Sequence, residues 1–186
     1  MPYTLRTSLS TTAKSTIDEM GTVALDYELE PLNVSSDEWN SLIKPYSTAL
    51  VYHRSHWLDY LERSHNGQRV LLTFKSGALT VGYFCAMTIR KGPFRILGAP
   101  FRGWWTANMG PVADPEEFNT AGFLAALDRY CRQHRIDFLE LCCDWLDQQE
   151  LVRAGFTAVD DVTHSMPLGK RHKISAGMCH PIYLVK

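Results

Sequence analysis

The stretch from Arg69 to Ile89 restricts the fold more than any other part of the chain. Arg69 to Phe74 (RVLLTF) is a compact apolar run, Lys75-Ser76-Gly77 is a turn, and Leu79 to Ile89 reads as a long strand. Along that strand Val81, Tyr83, Cys85, Met87 and Ile89 face one way, while Gly82, Phe84 and Ala86 face the other. A sheet face open to water shows up as alternation of apolar and polar residues, and here neither face is polar. The pattern predicts an antiparallel hairpin in the middle of a sheet that is covered on both sides. Lys91-Gly92-Pro93 makes the next turn, and Phe94 to Leu97 a further short strand.

Such a sheet needs helices, and the flanking sequence supplies them. Val23, Leu25, Tyr27 and Leu29 alternate as in a half-buried strand that ends at Pro31. Ser35 followed by Glu38 is a capping-box pattern, so a short helix is expected up to Lys44, before Pro45. Ser55 is expected to cap a second helix in which Trp57, Leu58 and Leu61 share a face, ended by His65-Asn66-Gly67. Residues 98–113 carry Gly, Pro and Trp104-Trp105 with little periodicity, which predicts a loop with a short strand at its end. Asp114-Pro115-Glu116-Glu117 combines an N-cap, Pro at the first helical position and Glu at the third, predicting a helix to about Gln133 with Leu124, Leu127 and Cys131 on its apolar stripe. Ile136 to Cys142 reads as a buried strand, Asp147 to Ala154 as a short helix stopped by Gly155, and Phe156 to Val159 as the next strand.

This mixed order predicts an α/β (α+β) fold, a largely antiparallel mixed sheet with helices on both faces. The expected organisation is a disordered tail over 1–22, one domain over 23–168, and a C-terminal tail over 169–186, with no internal repeat or linker inside the domain.

The formal net charge is −1 and no basic stripe is visible, which argues against a nucleic-acid partner. The five cysteines include no Cys-x-x-Cys pair, which suits neither a disulfide framework nor a zinc site. A reducing, cytoplasmic setting is the simplest reading. No segment is apolar for long enough to span a bilayer, and the Ser/Thr-rich N-terminus has no apolar run of signal-peptide length.

An ordered set of short pieces over roughly residues 30 to 168 resembles the N-terminal half of FemAB/CelD-like transferases of the GNAT superfamily. His56-Trp57-Leu58-Asp59-Tyr60-Leu61 is similar to the W-L-x-x-L helix that opens those domains. Lys75 to Gly82 (KSGALTVG) resembles the D-G-x-x-V-G hairpin, with Ser in place of the acidic residue. Asn108-Met109-Gly110-Pro111-Val112 is similar to a Y-G-G-P turn, Asp137 to Leu141 to the strand after the long helix, and Leu151 to Phe156 to L-x-x-x-G-F. The resemblance implies a GNAT-like fold and acyl or aminoacyl transfer to an amine of a cell-envelope or exopolysaccharide precursor. It also implies acetyl-CoA or another acyl or aminoacyl donor. In that family a second GNAT-like half carries most of the donor and substrate chemistry. Here Thr163 to Leu168, and a basic stretch from Gly169 to Ile174, are what resembles its beginning. The chain therefore reads as a truncated, split or shortened member, with a partner chain as one source of the second half.

The residues themselves leave the chemistry open. A CoA-type pyrophosphate is usually held by a Gly-rich loop that opens a helix. Gly98 and Arg102-Gly103 lie near the expected place, but Trp104-Trp105 follows, and Asp114, Glu116 and Glu117 at the expected helix start repel phosphate. Phe101, Arg102, Trp104 and Trp105, with Asn108 as a polar handle, have the chemistry to stack on a sugar, nucleotide or peptide, or else to cap the sheet edge and fill core. Asp144 and Glu140 are the candidate acid–base carboxylates, with Tyr83 or Tyr130 as proton donor. The alternative for Asp144 or Asp147 is a cap on the helix ending at Ala154. Cys142-Cys143 has no neighbouring His implied by sequence, and His53-x-x-His56 lacks a third ligand, so no metal is expected.

Overall fold

The computed structural model describes residues 26–160, 163–165, 177–179 and 182–185. The expected tail over 1–22, strand residues Val23 and Leu25, and the basic stretch over 169–174 lie outside the described residues.

The hairpin forms as the apolar pattern requires. Strand β2 (Gln68–Ser76) pairs antiparallel with the 13-residue β3 (Leu79–Lys91), and β1 (Tyr27–Pro31) adds to the outer edge of β2. On the other side of β3 lies β4 (Phe94–Ala99), and farther along the same side β5 (Pro111–Ala113). Strand β6 (Phe138–Cys142) runs parallel to β4, from Ile96 opposite Phe138 to Ala99 opposite Leu141. Parallel neighbours need a crossover, and α3 (Thr120–Gln133) provides it. Strand β7 (Thr157–Asp160) forms the far edge, and β10 (Ile182–Val185) is inserted antiparallel between β6 and β7. The main sheet thus runs β1-β2-β3-β4-β6-β10-β7, with β5 on β3, while β8 (Thr163–Ser165) and β9 (Gly177–Cys179) form a separate antiparallel pair.

Helices cover both faces, so the expected α/β class with a mixed, largely antiparallel sheet is the one the chain adopts. One core holds Phe74, Phe84, Ala86, Leu139 and Leu141 of the sheet against Phe123 and Leu127 of α3 and Leu151 of α4 (Gln148–Arg153). The other holds Cys85 and Met87 against Trp39 and Ile43 of α1 (Ser36–Ile43) and Leu58 and Leu61 of α2 (Ser55–His65). One expected side assignment is corrected. Phe74 lies opposite Gly82 but Lys75 opposite Thr80, so Val81 is the extra residue of a β-bulge. A bulge breaks the two-residue alternation, and Val81 packs with the α3-side core rather than with Tyr83 and Cys85.

Two helix starts also differ from expectation. Ser35 caps α1 in a full capping box with Glu38, as the sequence indicates. Ser55, in contrast, is the first helical residue of α2 and not its cap. Its amide donates to Asn40 Oδ1 at 3.0 Å and its hydroxyl accepts from Asn40 Nδ2 at 2.7 Å. A side chain from α1 therefore satisfies an orphan donor that no local residue does. Helix α3 starts at Thr120 with Asn119 as cap, five positions after the expected start. Asp114 instead accepts from the Glu116 amide at 3.1 Å in a turn outside the helix. Asn119 is fixed for its role because its own amide donates to the hydroxyl of buried Tyr27 at 3.1 Å.

Candidate active site

Strands β4 and β5 are two pieces of one line. Gly98 lies opposite Met87 and Pro111 opposite Phe84, so both run the same way along β3. Between them the chain leaves the sheet at the cis Ala99–Pro100 bond and returns at Gly110, whose carbonyl accepts from the Cys85 amide at 3.2 Å. The excursion leaves at the carboxyl end of β4, beside the carboxyl end of its parallel neighbour β6. Crevices outside the carboxyl ends of parallel strands are the usual ligand sites of α/β sheets.

Alternation decides which side chains of β6 reach this place. Leu139 and Leu141 point into the α3-side core, so Glu140 and Cys142 point to the opposite face. There Glu140 Oε2 accepts from the Arg102 amide at 3.0 Å, and Cys142 Sγ donates to the Ala107 carbonyl at 3.2 Å. The Met109 amide donates to the Cys142 carbonyl at 3.2 Å. Just past the strand, Asn108 Nδ2 donates to Asp144 Oδ1 at 2.6 Å. Asn108 is buried and Asp144 exposed. Two segments nearly forty residues apart are thus tied together at the carboxyl end of β6, Glu140 to the Arg102 backbone amide and Asp144 to the Asn108 side chain.

The aromatic residues divide into anchors and a tip. Phe101 is buried over Gly98, where a Cβ would sit 2.5 Å from the ring, so this contact requires glycine. Trp104 lies 4.6 Å from Phe101 and stacks on His65 with centroids 4.3 Å apart and planes 13° from parallel. Beneath it buried Thr106 accepts from Trp57 Nε1 at 3.1 Å. Trp105 is the tip, 89% exposed and held at φ 56°. Positive φ is uncommon for a non-glycine residue and is maintained by its surroundings.

The remaining sequence candidates separate. Asp147, not Asp144, caps α4 by accepting from the Gln149 and Glu150 amides at 2.8 and 3.3 Å. Tyr83 lies on the loop's face among Trp39 and Tyr46, and burial raises its pKa; Tyr130 is buried on the opposite face. Burial pushes the Cys85 thiol up to about 12 and that of Cys143 higher, so both are protonated and unreactive at neutral pH. His53 is buried with Nδ1 accepting from the Leu50 amide, and no cluster of His, Cys, Asp or Glu among the described residues has a metal-binding arrangement. Loop anchors Thr106, Trp57 and His65 escape sequence reasoning, because Trp57 meets Thr106 across 49 positions with no local signal.

Of the glycines near the loop and the α3 start, Gly98 is covered by Phe101 and the Gly122 amide is taken by the Asn119 side chain at 2.7 Å. Asp114, Glu116 and Glu117 precede α3 and its first turn holds no acid, so the repulsion expected at the helix start does not arise there. No helix among the described residues is long and apolar enough to cross a membrane.

No protein-family model matches the chain, and no curated protein matches it. Among solved structures it is similar to a Bacillus subtilis acetyltransferase in complex with CoA, at 12% identity over 86% of this chain and 97% of that one, with a TM-score of 0.46. It is also similar to an acetyltransferase from Thermus thermophilus at 15% identity, over 88% of this chain and 97% of that one, with a TM-score of 0.43. A third, from Agrobacterium tumefaciens, has 12% identity over 97% of this chain and 98% of that one, with a TM-score of 0.41.

Proposed function

We propose that the chain is a GNAT-like acyl- or aminoacyl-transferase domain that acts on an amine, with its acceptor site at the carboxyl ends of β4 and β6. The observation that carries this reading is the pairing there of Glu140 with the Arg102 backbone amide and of Asp144 with the Asn108 side chain. The ordered motifs quoted above point to the same class. In acyl transfer to an amine, the nitrogen bonds the acyl carbon, the donor's thiolate or alcohol leaves, and the amine gives up a proton. Asp144 is the base in this reading, since it is exposed and oriented by Asn108 through one carboxylate oxygen. Glu140 is the positioning carboxylate, tied to the Arg102 amide and so fixing the loop's departure. Arg102 and Trp105 then meet an anionic or sugar-bearing acceptor, which suits a cell-envelope or exopolysaccharide precursor.

The donor is acyl-CoA or another acyl or aminoacyl carrier, and the capping of the Gly122 amide by Asn119 favours a carrier that does not depend on that amide. A second reading, favoured by the exposure of Trp105, is a recognition domain that binds sugar or peptide without catalysis. Calorimetric and thermal-shift titration with acetyl-CoA, then with acyl and aminoacyl donors, separates the two. Saturable binding with a concentration-dependent rise in Tm supports the transferase. A folded protein that answers no donor, yet binds sugars or peptides through Trp105, supports recognition.

A further inference from the structure

At the other end of β4 lies a polar cavity of about 440 Å³, lined by His65, Gln68, Thr88, Arg90 and Arg95 among others. Its position follows from strand register: Gln68 is opposite Thr88, and Arg90 is directly opposite Arg95. Like charges directly opposite on neighbouring strands destabilise a sheet. Breaks of a local rule like this one are expected at functional sites.

Neither guanidinium forms an ion pair among the described residues. Asp59 and Glu62 pair with Arg69, and the Asp137 carboxylate beside Arg95 accepts from its backbone amide at 2.7 Å. The Arg95 guanidinium is held in place by donation to the His134 carbonyl at the α3 C-terminus, 3.1 Å away. Arg90 is exposed and forms no ion pair among the described residues. His65 closes the α2 side. Its ring is fixed against Trp104, and its buried Nε2 has no hydrogen-bond partner among the described residues.

We propose that this cavity is an oxyanion site that takes phosphate or the phosphoryl group of a small phosphate ester. Two guanidiniums, one anchored and one adjustable, match the paired oxygens of a phosphoryl group, and Arg provides that planar fork where Lys does not. Thr88 and Gln68 offer neutral polar groups at the floor, with Thr88 Oγ1 already donating to the Gln68 carbonyl at 3.4 Å. The bound dianion removes the Arg90–Arg95 repulsion, so the strain of the free protein becomes affinity. This site is separate from the crevice at Ala99 and does not depend on the transferase reading.

The test is calorimetric titration of the full chain with inorganic phosphate and with phenyl phosphate, against sodium chloride at matched ionic strength. Wild type is expected to bind both phosphates saturably. Arg90→Gln should weaken binding by about tenfold or more, and melt no lower than wild type when free of ligand. Arg153→Gln, an equal change of charge on exposed α4, should bind as wild type does. Binding of inorganic phosphate alone places a free anion in the site; tighter binding of phenyl phosphate places an ester there. The proposal is overturned if wild type shows no saturable heat, if Arg90→Gln and Arg153→Gln bind alike, or if ligand-free Arg90→Gln melts below wild type.

Discussion

The amide of Asn108 and the carboxylate of Asp144 meet at 2.6 Å, and this bond ties the loop between β4 and β5 to the residue that follows β6. Removing each partner has a different expected outcome. Asp144→Asn keeps the shape and removes the proposed base, so amine acylation should fall by about 10²–10⁴ with little change in KM. Asn108→Ala keeps the base but frees it, and the fall should be nearer tenfold, at the scale of one charge-assisted hydrogen bond, about 1.5–3 kcal/mol at most. Steady-state kinetics with a fixed donor and a varied amine reads both. Equal rates for Asp144→Asn and wild type would remove Asp144 from the chemistry.

Trp105 and Trp104 are neighbours with opposite expected behaviour. Trp105→Ala should leave stability within about 0.5 kcal/mol, as surface substitutions do, while weakening acceptor or sugar binding. Trp104→Ala should lower Tm, since it removes the stack on His65 and the contact with Phe101. Thermal melts paired with binding measurements distinguish the two. A large drop in Tm for Trp105→Ala would show that the tip is structural.

Gly82 and Gly98 predict two kinds of damage. An alanine Cβ at Gly82 would lie 2.5 Å from the Val112 backbone oxygen, and backbone cannot step aside cheaply. Gly82→Ala should destabilise by about 1–3 kcal/mol, as overpacking does. At Gly98 the obstacle is the Phe101 ring, which is able to rotate away. Gly98→Ala should therefore unseat the loop, with more loss of binding than of stability. Urea unfolding and ligand titration on both variants test this difference, and the reverse ordering would refute it.

Stability should decline on the acid side through His53. Burial, aided by Arg54, depresses its pKa from 6.5 to about 4. The unfolded chain thus takes up the proton first as pH falls. The neutral-His contribution is fully present above about 6.5 and is lost progressively between about 6.5 and 4. At about 1.36 kcal/mol per unit this amounts to roughly 3 kcal/mol for the single group. Chemical denaturation of wild type and His53→Gln across that range should show the flatter profile in the variant; identical slopes would assign the acid sensitivity elsewhere.

Elements set by local pattern were legible in the sequence, and those set by distant partners were not. The Arg69–Ile89 hairpin and the Ser35 capping box declare themselves within a few residues, while the cap of α4 stays open between Asp144 and Asp147. The starts of α2 and α3 do not, because Asn40 and Tyr27 decide them from 15 and 92 positions away. The bulge at Val81 is invisible for a related reason: an unbroken apolar run reads the same in either register. At the candidate site, Glu140, Asp144, Arg102 and Asn108 stood out by residue type. Their pairing as Glu140 with Arg102 and Asp144 with Asn108 depends on where β4 and β6 lie side by side.

The interruption of the β4–β5 line has a consequence for how such a domain changes over time. Gly98 and Pro111 lie opposite Met87 and Phe84, three positions apart on β3, so a span of about 10 Å separates them. Two residues would bridge it, yet the chain spends residues 99–110 there. Pairing on either side is fixed by β3. The exposed positions Arg102, Gly103 and Trp105 can thus be rewritten while the sheet stays in register, whereas Phe101, Thr106, Asn108 and Met109 are buried and tied to the core. New surface contacts are open to the protein at those positions without renegotiating its fold.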